Sequence, residues 1–118
     1  MINYSGLRCV FVLRLYKSEK CFGPGIVQLL ELIQETSSLR SAAASIHIAY
    51  SKAWRIIKTA EKELGVKLLN SVVGGVDGGG MTLTNEALDI LKRYKAFSAE
   101  AKSAINGIFK KNFLSDGE

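Results

Sequence analysis

The sequence predicts a mainly α-helical domain with small β elements, and three observations carry this prediction. Apolar residues recur at helical spacing over four segments, whereas they alternate with polar residues only near the N-terminus. A glycine-rich run at residues 74–80 separates two short apolar segments, which is typical of a β-hairpin loop. The 118 residues suffice for one hydrophobic core but are too few for a second globular unit.

Positive charge is concentrated in the middle of the chain. The net charge is +5, and residues 37–67 carry +4 of it, which favours contact between this segment and phosphates. Hydrophobic residues make up 47% of the chain, yet no apolar run approaches the roughly 18 residues that a membrane span requires. No secretion signal is recognisable, so we expect a cytoplasmic location.

The N-terminal segment predicts a β arm. Residues 7–17 alternate in polarity and are rich in β-branched and aromatic types, and residues 18–20 form a turn into a short return at Cys21 and Phe22. Such a strand should pair with another strand of this chain or of a partner. Cys9 and Cys21 are too few for a disulfide framework and are not spaced as metal ligands, so we expect reduced core or strand residues.

Gly23, Pro24 and Gly25 end the arm and begin a first helix that ends near Thr36, because proline suits a first helical turn and cannot continue a strand ladder. Its apolar stripe consists of Ile26, Leu29, Leu30, Leu32 and Ile33. This helix is expected to support the segment that follows.

Residues 37–65 predict two helices joined by a sharp turn, which is a helix-turn-helix. Ser37 or Ser38 can cap the first helix. His47 stands in the turn where a positive φ is needed, a conformation that histidine tolerates better than most residues. The apolar positions of the first helix are Leu39, Ala42, Ala43 and Ile46.

The second helix, at about residues 49–64, has two unlike faces. The apolar face contains Ala53, Ile56, Ile57, Ala60 and Leu64. The opposite face contains Ser51, Lys52, Arg55, Lys58, Thr59 and Lys62. A cationic helix of this kind fits a major groove about 12 Å wide, so we interpret it as a recognition helix. The alternative is an ordinary solvated helix of an all-α domain.

After a stop at Gly65, residues 68–73 and 81–84 predict the two strands of a wing. The loop between them is expected to bring the backbone of Gly75, Gly78 and Gly79 close to phosphates or a minor groove. A flexible hairpin tip without DNA contact is the equally weighted alternative.

Thr84 caps a long final helix whose apolar seam repeats every three or four residues. The seam consists of Ala87, Leu91, Tyr94, Ser98, Ala101, Ile105 and Ile108. So wide a stripe suggests a dimer contact, whereas the alternative is a helix that folds back over its own core. The predicted fold is thus a winged helix-turn-helix, mainly α with small β, with an N-terminal β arm at 1–22, the winged domain at 23–84 and a dimerisation helix at 85–118.

Three ordered motifs carry a resemblance to a known family over residues 23–94. They are FGPG followed by LLELIQET at residues 22–36, AYSKAW at residues 49–54, and a glycine-rich wing that ends in Leu83 and Thr84. The chain resembles the N-terminal DNA-binding domain of the molybdate-responsive ModE regulators, which are related to the LysR-type helix-turn-helix. The resemblance implies DNA binding as a homodimer and a role in transcriptional control.

The chain departs from the family pattern in two places. The family wing reads close to TGGKGGGG, and here Val73, Val76 and Asp77 replace the threonine, the lysine and one glycine, which weakens the expected phosphate contact. The family also has a lysine where Ser51 stands. ModE regulators continue into an oxyanion-binding domain, and since the sequence ends at Glu118 we expect none here. A separately encoded effector-binding protein is therefore a conceivable partner.

Apart from the three wing glycines, the candidate DNA-binding residues fall into three groups. At the start of the recognition helix, Tyr50, Ser51, Lys52 and Arg55 are placed for base edges, with Arg55 the best candidate for reading guanine. Phosphate contacts are expected from Lys58 and Lys62 further along, and from Ser38, Arg40 and Ser41 on the preceding helix. Trp54 is expected in the core.

The leading hypothesis is a DNA-binding regulator with double-stranded DNA and a second copy of itself as partners. The alternative is an adaptor that holds a protein partner through the arm and the last helix, with little DNA affinity. An enzyme is disfavoured because the sequence presents no carboxylate pair, no nucleophile with a base and no metal-ligand cluster. We predict no cofactor, no metal and no membrane partner.

Overall fold

The order of the elements is that of a winged helix-turn-helix. The computed structural model describes residues 1–72 and 80–114. Along the chain lie β1 (Leu15–Tyr16), β2 (Lys20–Phe22), α1 (Pro24–Thr36), α2 (Leu39–Ser45), α3 (Tyr50–Leu64), β3 (Leu69–Val72), β4 (Gly80–Leu83) and α4 (Asn85–Phe113). Strand β1 pairs with β2 and β3 with β4, both antiparallel. The predicted fold class is confirmed.

The core forms where α1, α2 and α3 meet the base of the wing and the start of α4. The stripe predicted on α1 is confirmed, since it is buried apart from Leu32, which is half-buried. Its buried partners come from every neighbouring element. Among them are Phe22, Leu39, Ala53, Ile57, Leu68, Ala87 and Leu91. This shared core holds α3 in place along one face.

Two residues with positive φ make the sharp bends around α2. Ser37 adopts φ 58° and ends α1, and its N–H donates to the Ile33 carbonyl at 2.8 Å. Ser38 is therefore the cap of α2, where its hydroxyl oxygen accepts from the Ser41 N–H at 3.0 Å. His47 adopts φ 58°, so the prediction for the turn is confirmed. These bends set the angle at which α3 leaves α2.

The wing strands are fixed to the start of α2 through a close backbone approach. Leu69 pairs with Leu83, and the strand begins there instead of at residue 68. The Met81 N–H donates to the Ser37 carbonyl at 2.9 Å. A Cβ on Gly80 would lie only 2.8 Å from that same carbonyl oxygen, so β4 can lie there only with glycine at this position.

Replacing Gly80 with alanine is therefore expected to lower the free energy of unfolding by about 1–3 kcal/mol, because the new methyl group must push β4 away from Ser37. Gly25→Ala is the matched control. Its Cβ meets open space in the first turn of α1, so stability should be unchanged or rise by about 0.5–1 kcal/mol. Urea titration followed by circular dichroism measures both variants, and equal stability of Gly80→Ala and wild type would contradict this packing.

The N-terminal arm differs from its prediction. A strand was expected over residues 7–17, but only Leu15 and Tyr16 are strand residues, and Cys9 is exposed while Cys21 alone is buried. The reason is that the return strand β2 has three residues, and within residues 1–72 and 80–114 no strand lies opposite residues 7–14. The turn and the short return were predicted correctly.

The arm nevertheless has a defined place along α4. The Tyr94 hydroxyl donates to the Leu13 carbonyl at 2.7 Å, and the Tyr4 ring packs edge-on against Phe113 with 5.4 Å between ring centroids. Burial raises the pKa of the Tyr94 hydroxyl, with Arg14 opposing the shift. The hydroxyl therefore stays protonated at neutral pH and keeps donating to the arm.

Helix α4 begins as predicted and then leaves the core. Thr84 is buried, and its hydroxyl donates to the Lys67 carbonyl at 2.7 Å and accepts from the Ala87 N–H at 3.1 Å. The radius of gyration is 18.5 Å, whereas a compact chain of this length has about 13 Å. Within the described residues, none of the helices is long and apolar enough to span a membrane.

Candidate nucleic-acid interface

Helix α3 has the two faces that the sequence predicts. Ala53, Ile57 and Ala60 are fully buried against the core. The polar positions on the other side are exposed apart from Thr59, which is half-buried. These exposed residues are Ser51, Lys52, Arg55, Lys58 and Lys62. The helix is thus anchored along one side and free to contact a large polyanion along the other.

Three side chains in contact with one another form a row at the start of α3. The Arg40 guanidinium of α2 lies 4.2 Å from the centroid of the Tyr50 ring. Tyr50 in turn meets Trp54 edge-on with 6.3 Å between ring centroids. Stacking of this kind holds Arg40 over the start of α3, and it contributes about 0.5–1 kcal/mol at an exposed site. Trp54 is half-buried against the core, in accord with its predicted packing.

The two lysines predicted to bind phosphates differ in their surroundings. The Lys58 ammonium lies 3.2 Å from Glu61 Oε1 and 5.2 Å from the centroid of the Trp54 ring. Glu61 is mostly buried, and its other oxygen accepts from the Leu68 N–H at 2.8 Å. Lys58 is thereby partly neutralised, whereas Lys62 is exposed. The three-residue spacing of Lys58 and Glu61 could have predicted the pair.

The serines on α2 also differ. Ser38 is half-buried and uses its oxygen to cap the helix, so only its O–H remains to donate to a phosphate. Ser41 is exposed beside Arg40. Both lie at the front of α2, as the sequence predicts for backbone-contacting residues.

A cleft between the arm and α3 was not predicted from the sequence. It has a volume of about 420 Å³. Lys52 and Arg55 line it from α3, while Arg14 and Lys20 line it from the segment around the β1–β2 hairpin. The lining residues come from the hairpin and from α3, which are far apart in the sequence and meet only through the fold, so no local pattern could have found the cleft.

Some predicted contacts fall in the wing loop. Gly75, Gly78 and Gly79, as well as the family departures at Val73, Val76 and Asp77, lie outside the described residues. Over the ranges 1–72 and 80–114, no group of three or more His, Cys, Asp or Glu residues is placed to hold a metal ion.

Comparison with known proteins identifies the helix-turn-helix. Residues 26–88 match the model of the bacterial regulatory helix-turn-helix proteins of the lysR family. The chain belongs to this family. The matched segment begins in α1 and ends in the first turn of α4, so it contains α2, the turn and α3. The family consists of DNA-binding transcriptional regulators and is not a family of enzymes.

Three curated relatives make the likeness more specific. The chain is 34% identical over 80 residues to the molybdenum transport protein ModE of Azotobacter vinelandii, covering 68% of this chain and 30% of the relative. It is 35% identical over 71 residues to the transcriptional regulator ModE of Haemophilus influenzae, covering 60% of this chain and 28% of the relative. It is 26% identical over 111 residues to the molybdenum-pterin-binding protein MopB of Rhodobacter capsulatus, covering 94% of this chain and 41% of the relative.

These matches confirm the resemblance to the ModE family that the sequence motifs indicated. The chain spans less than half the length of these three relatives, and less than a third of the two ModE proteins.

Proposed function

We propose that this chain is a sequence-selective transcriptional regulator that binds DNA as a homodimer and inserts α3 into the major groove. The observation that carries the proposal is the division of α3 into an apolar face, on which Ala53, Ile57 and Ala60 are fully buried, and an exposed cationic face. A helix held in this way presents side chains to base edges without losing its packing.

The proposed roles follow the position of each residue on α3. Tyr50, Ser51, Lys52 and Arg55 occupy the first two turns, from which side chains reach base edges when a recognition helix enters the groove by its N-terminal end. Lys62 lies in the last turn and is assigned to phosphate. Lys58 has the same assignment, weakened by its pairing with Glu61. On α2, Arg40, Ser38 and Ser41 bind the DNA backbone.

The dimer is proposed from the distal half of α4. The seam is buried only as far as Tyr94. Beyond it Ser98, Ala101 and Ile105 are half-buried and Ile108 is 61% exposed, while Phe97 on the same half of the helix is 52% exposed. Two copies of this helix packed together would cover these side chains. Dimerisation also provides the two recognition helices, roughly one DNA turn apart, that a two-fold symmetric operator requires.

The arm supports the same interface. Phe11 and Leu13 are half-buried while Val10 and Val12 are exposed, so residues 10–13 alternate as a strand does although they have no strand partner in the described part of this chain. An unpaired edge of this kind takes up a second strand readily. We assign that strand to the arm of the second copy.

Selection from a randomised pool of DNA duplexes tests this function. We expect enrichment of one motif made of two inverted half-sites whose centres lie about 10 base pairs apart. Recovery of random sequences from a folded protein would contradict sequence-selective binding. It would favour the adaptor in which the arm and α4 hold a protein partner.

A further inference from the structure

The cleft between the β1–β2 hairpin and α3 indicates a binding role that the helix-turn-helix alone does not explain. Its two sides each contribute two cations, Arg14 and Lys20 from the hairpin side and Lys52 and Arg55 from α3. One carboxylate, that of Glu19, is also part of the lining. The first turn of α1 completes the cleft without adding an acidic residue. The cleft is therefore strongly cationic, and its occupant is expected to be an anion.

The hairpin is held in a fixed position beside α3. The Glu19 N–H donates to Glu63 Oε1 on α3 at 2.7 Å. Phe22 of β2 is buried, and its ring meets Tyr94 edge-on with 5.3 Å between ring centroids. These contacts attach the hairpin both to the recognition helix and to α4. The cations of the hairpin are thus positioned relative to α3 by the fold.

The cleft opens along the half of α3 that is proposed to enter the groove. Lys52 is in the first turn of α3, and Arg55 and Thr59 follow on the same side. A DNA strand whose bases are read from these turns carries its phosphates along the edge of the groove, next to the hairpin. The hairpin precedes residue 26, where the match to the lysR family begins, whereas the likeness to MopB covers 94% of this chain and extends over the hairpin.

We propose that the β1–β2 hairpin is a second phosphate-binding element of the DNA interface, in which Arg14 and Lys20 bind backbone phosphates of the strand that α3 reads. This inference rests on the proposed function. The hairpin then binds the DNA backbone in addition to α2, and both contact α3.

The salt dependence of DNA binding tests the proposal, because each phosphate contact contributes about 0.9 to the slope of the logarithm of the binding constant against the logarithm of the salt concentration. Lys20→Gln and Arg14→Gln should each lower this slope by about 1 on a duplex recovered by selection. Lys17→Gln is the matched control. It removes the same charge from the same hairpin, but Lys17 does not line the cleft, and its slope should stay at the wild-type value.

The outcomes separate this proposal from the one on which it rests. If wild type binds the selected duplex and the slopes of Lys20→Gln and Arg14→Gln equal that of wild type, the hairpin binds no phosphate and DNA recognition by α3 stands. An equal loss for Lys17→Gln and Lys20→Gln overturns the assignment to the cleft, since general electrostatics then explains both. If wild type binds no DNA at low salt, the proposed function fails first. Circular dichroism of each variant confirms folding.

Discussion

Replacing Arg55 with alanine is expected to remove about 1–3 kcal/mol of the preference for the selected duplex over a shuffled one, because the planar guanidinium is assigned to the O6 and N7 atoms of a guanine. Arg55 is exposed in the second turn of α3, while the neighbouring Ala53 and Ile57 are fully buried. The substitution therefore changes the interface and leaves the core intact. Competition binding with the two duplexes measures the preference directly.

Lys62→Ala provides the contrast for this experiment. It removes one positive charge from the last turn of α3, where a phosphate contact is proposed. Binding to the selected and the shuffled duplex should weaken equally, and the salt slope should fall by about 1. A loss of preference caused by Lys62→Ala and not by Arg55→Ala would reverse the assignment of bases and phosphates along the helix.

The second large effect is expected at the far end of α4. Ile108 is 61% exposed, so Ile108→Asp should leave the fold of one chain intact. In the proposed dimer the new carboxylate is buried without a partner, which costs about 3–5 kcal/mol. The dissociation constant of the dimer should therefore rise by about 100-fold or more. Sedimentation velocity over a range of protein concentrations measures this change.

Ser103→Asp is the control for the dimer experiment. It introduces the same charge at an exposed position of α4 that is not part of the seam, so the dimer should persist. Two results would argue against the helix seam as the interface. One is a wild-type chain that stays monomeric at every concentration, and the other is a dimer that Ile108→Asp leaves unchanged.

Sequence patterns correctly predicted the features that depend on residues close to one another along the chain. The two unlike faces of α3 follow from helical periodicity, and Ala53, Ile57 and Ala60 are buried in the structure as expected. The turn at His47 follows from the few residue types that tolerate positive φ. Thr84 capping α4 follows from its hydroxyl preceding an apolar repeat. These predictions need no knowledge of residues distant in the sequence.

Features that depend on contacts between residues far apart in the sequence could not be predicted from the sequence. The alternation in residues 7–17 is genuine, but a strand exists only where a second strand meets it, and the described part of this chain provides one only opposite residues 15–16. The cleft likewise depends on the Glu19–Glu63 hydrogen bond and on the burial of Phe22. No periodicity in the sequence encodes that meeting of hairpin and recognition helix.

The choice between Ser37 and Ser38 shows the same division. Both serines can cap a helix, and the sequence left the two alternatives open. The structure places Ser37 in the left-handed region at the end of α1, where its carbonyl accepts from Met81 of the wing. Ser38 then caps α2. The contact that distinguishes the two serines therefore comes from β4, which lies more than 40 residues away along the chain.

Fluorescence anisotropy across a series of salt concentrations can compare the affinity for a labelled duplex recovered by selection with the affinity for its shuffled counterpart. We expect the selected duplex to bind about 10³-fold or more tightly than the shuffled one at physiological salt, and both affinities to fall as salt rises. Equal affinity for the two duplexes, or no binding to either at low salt, would contradict the assignment of α3 as a recognition helix.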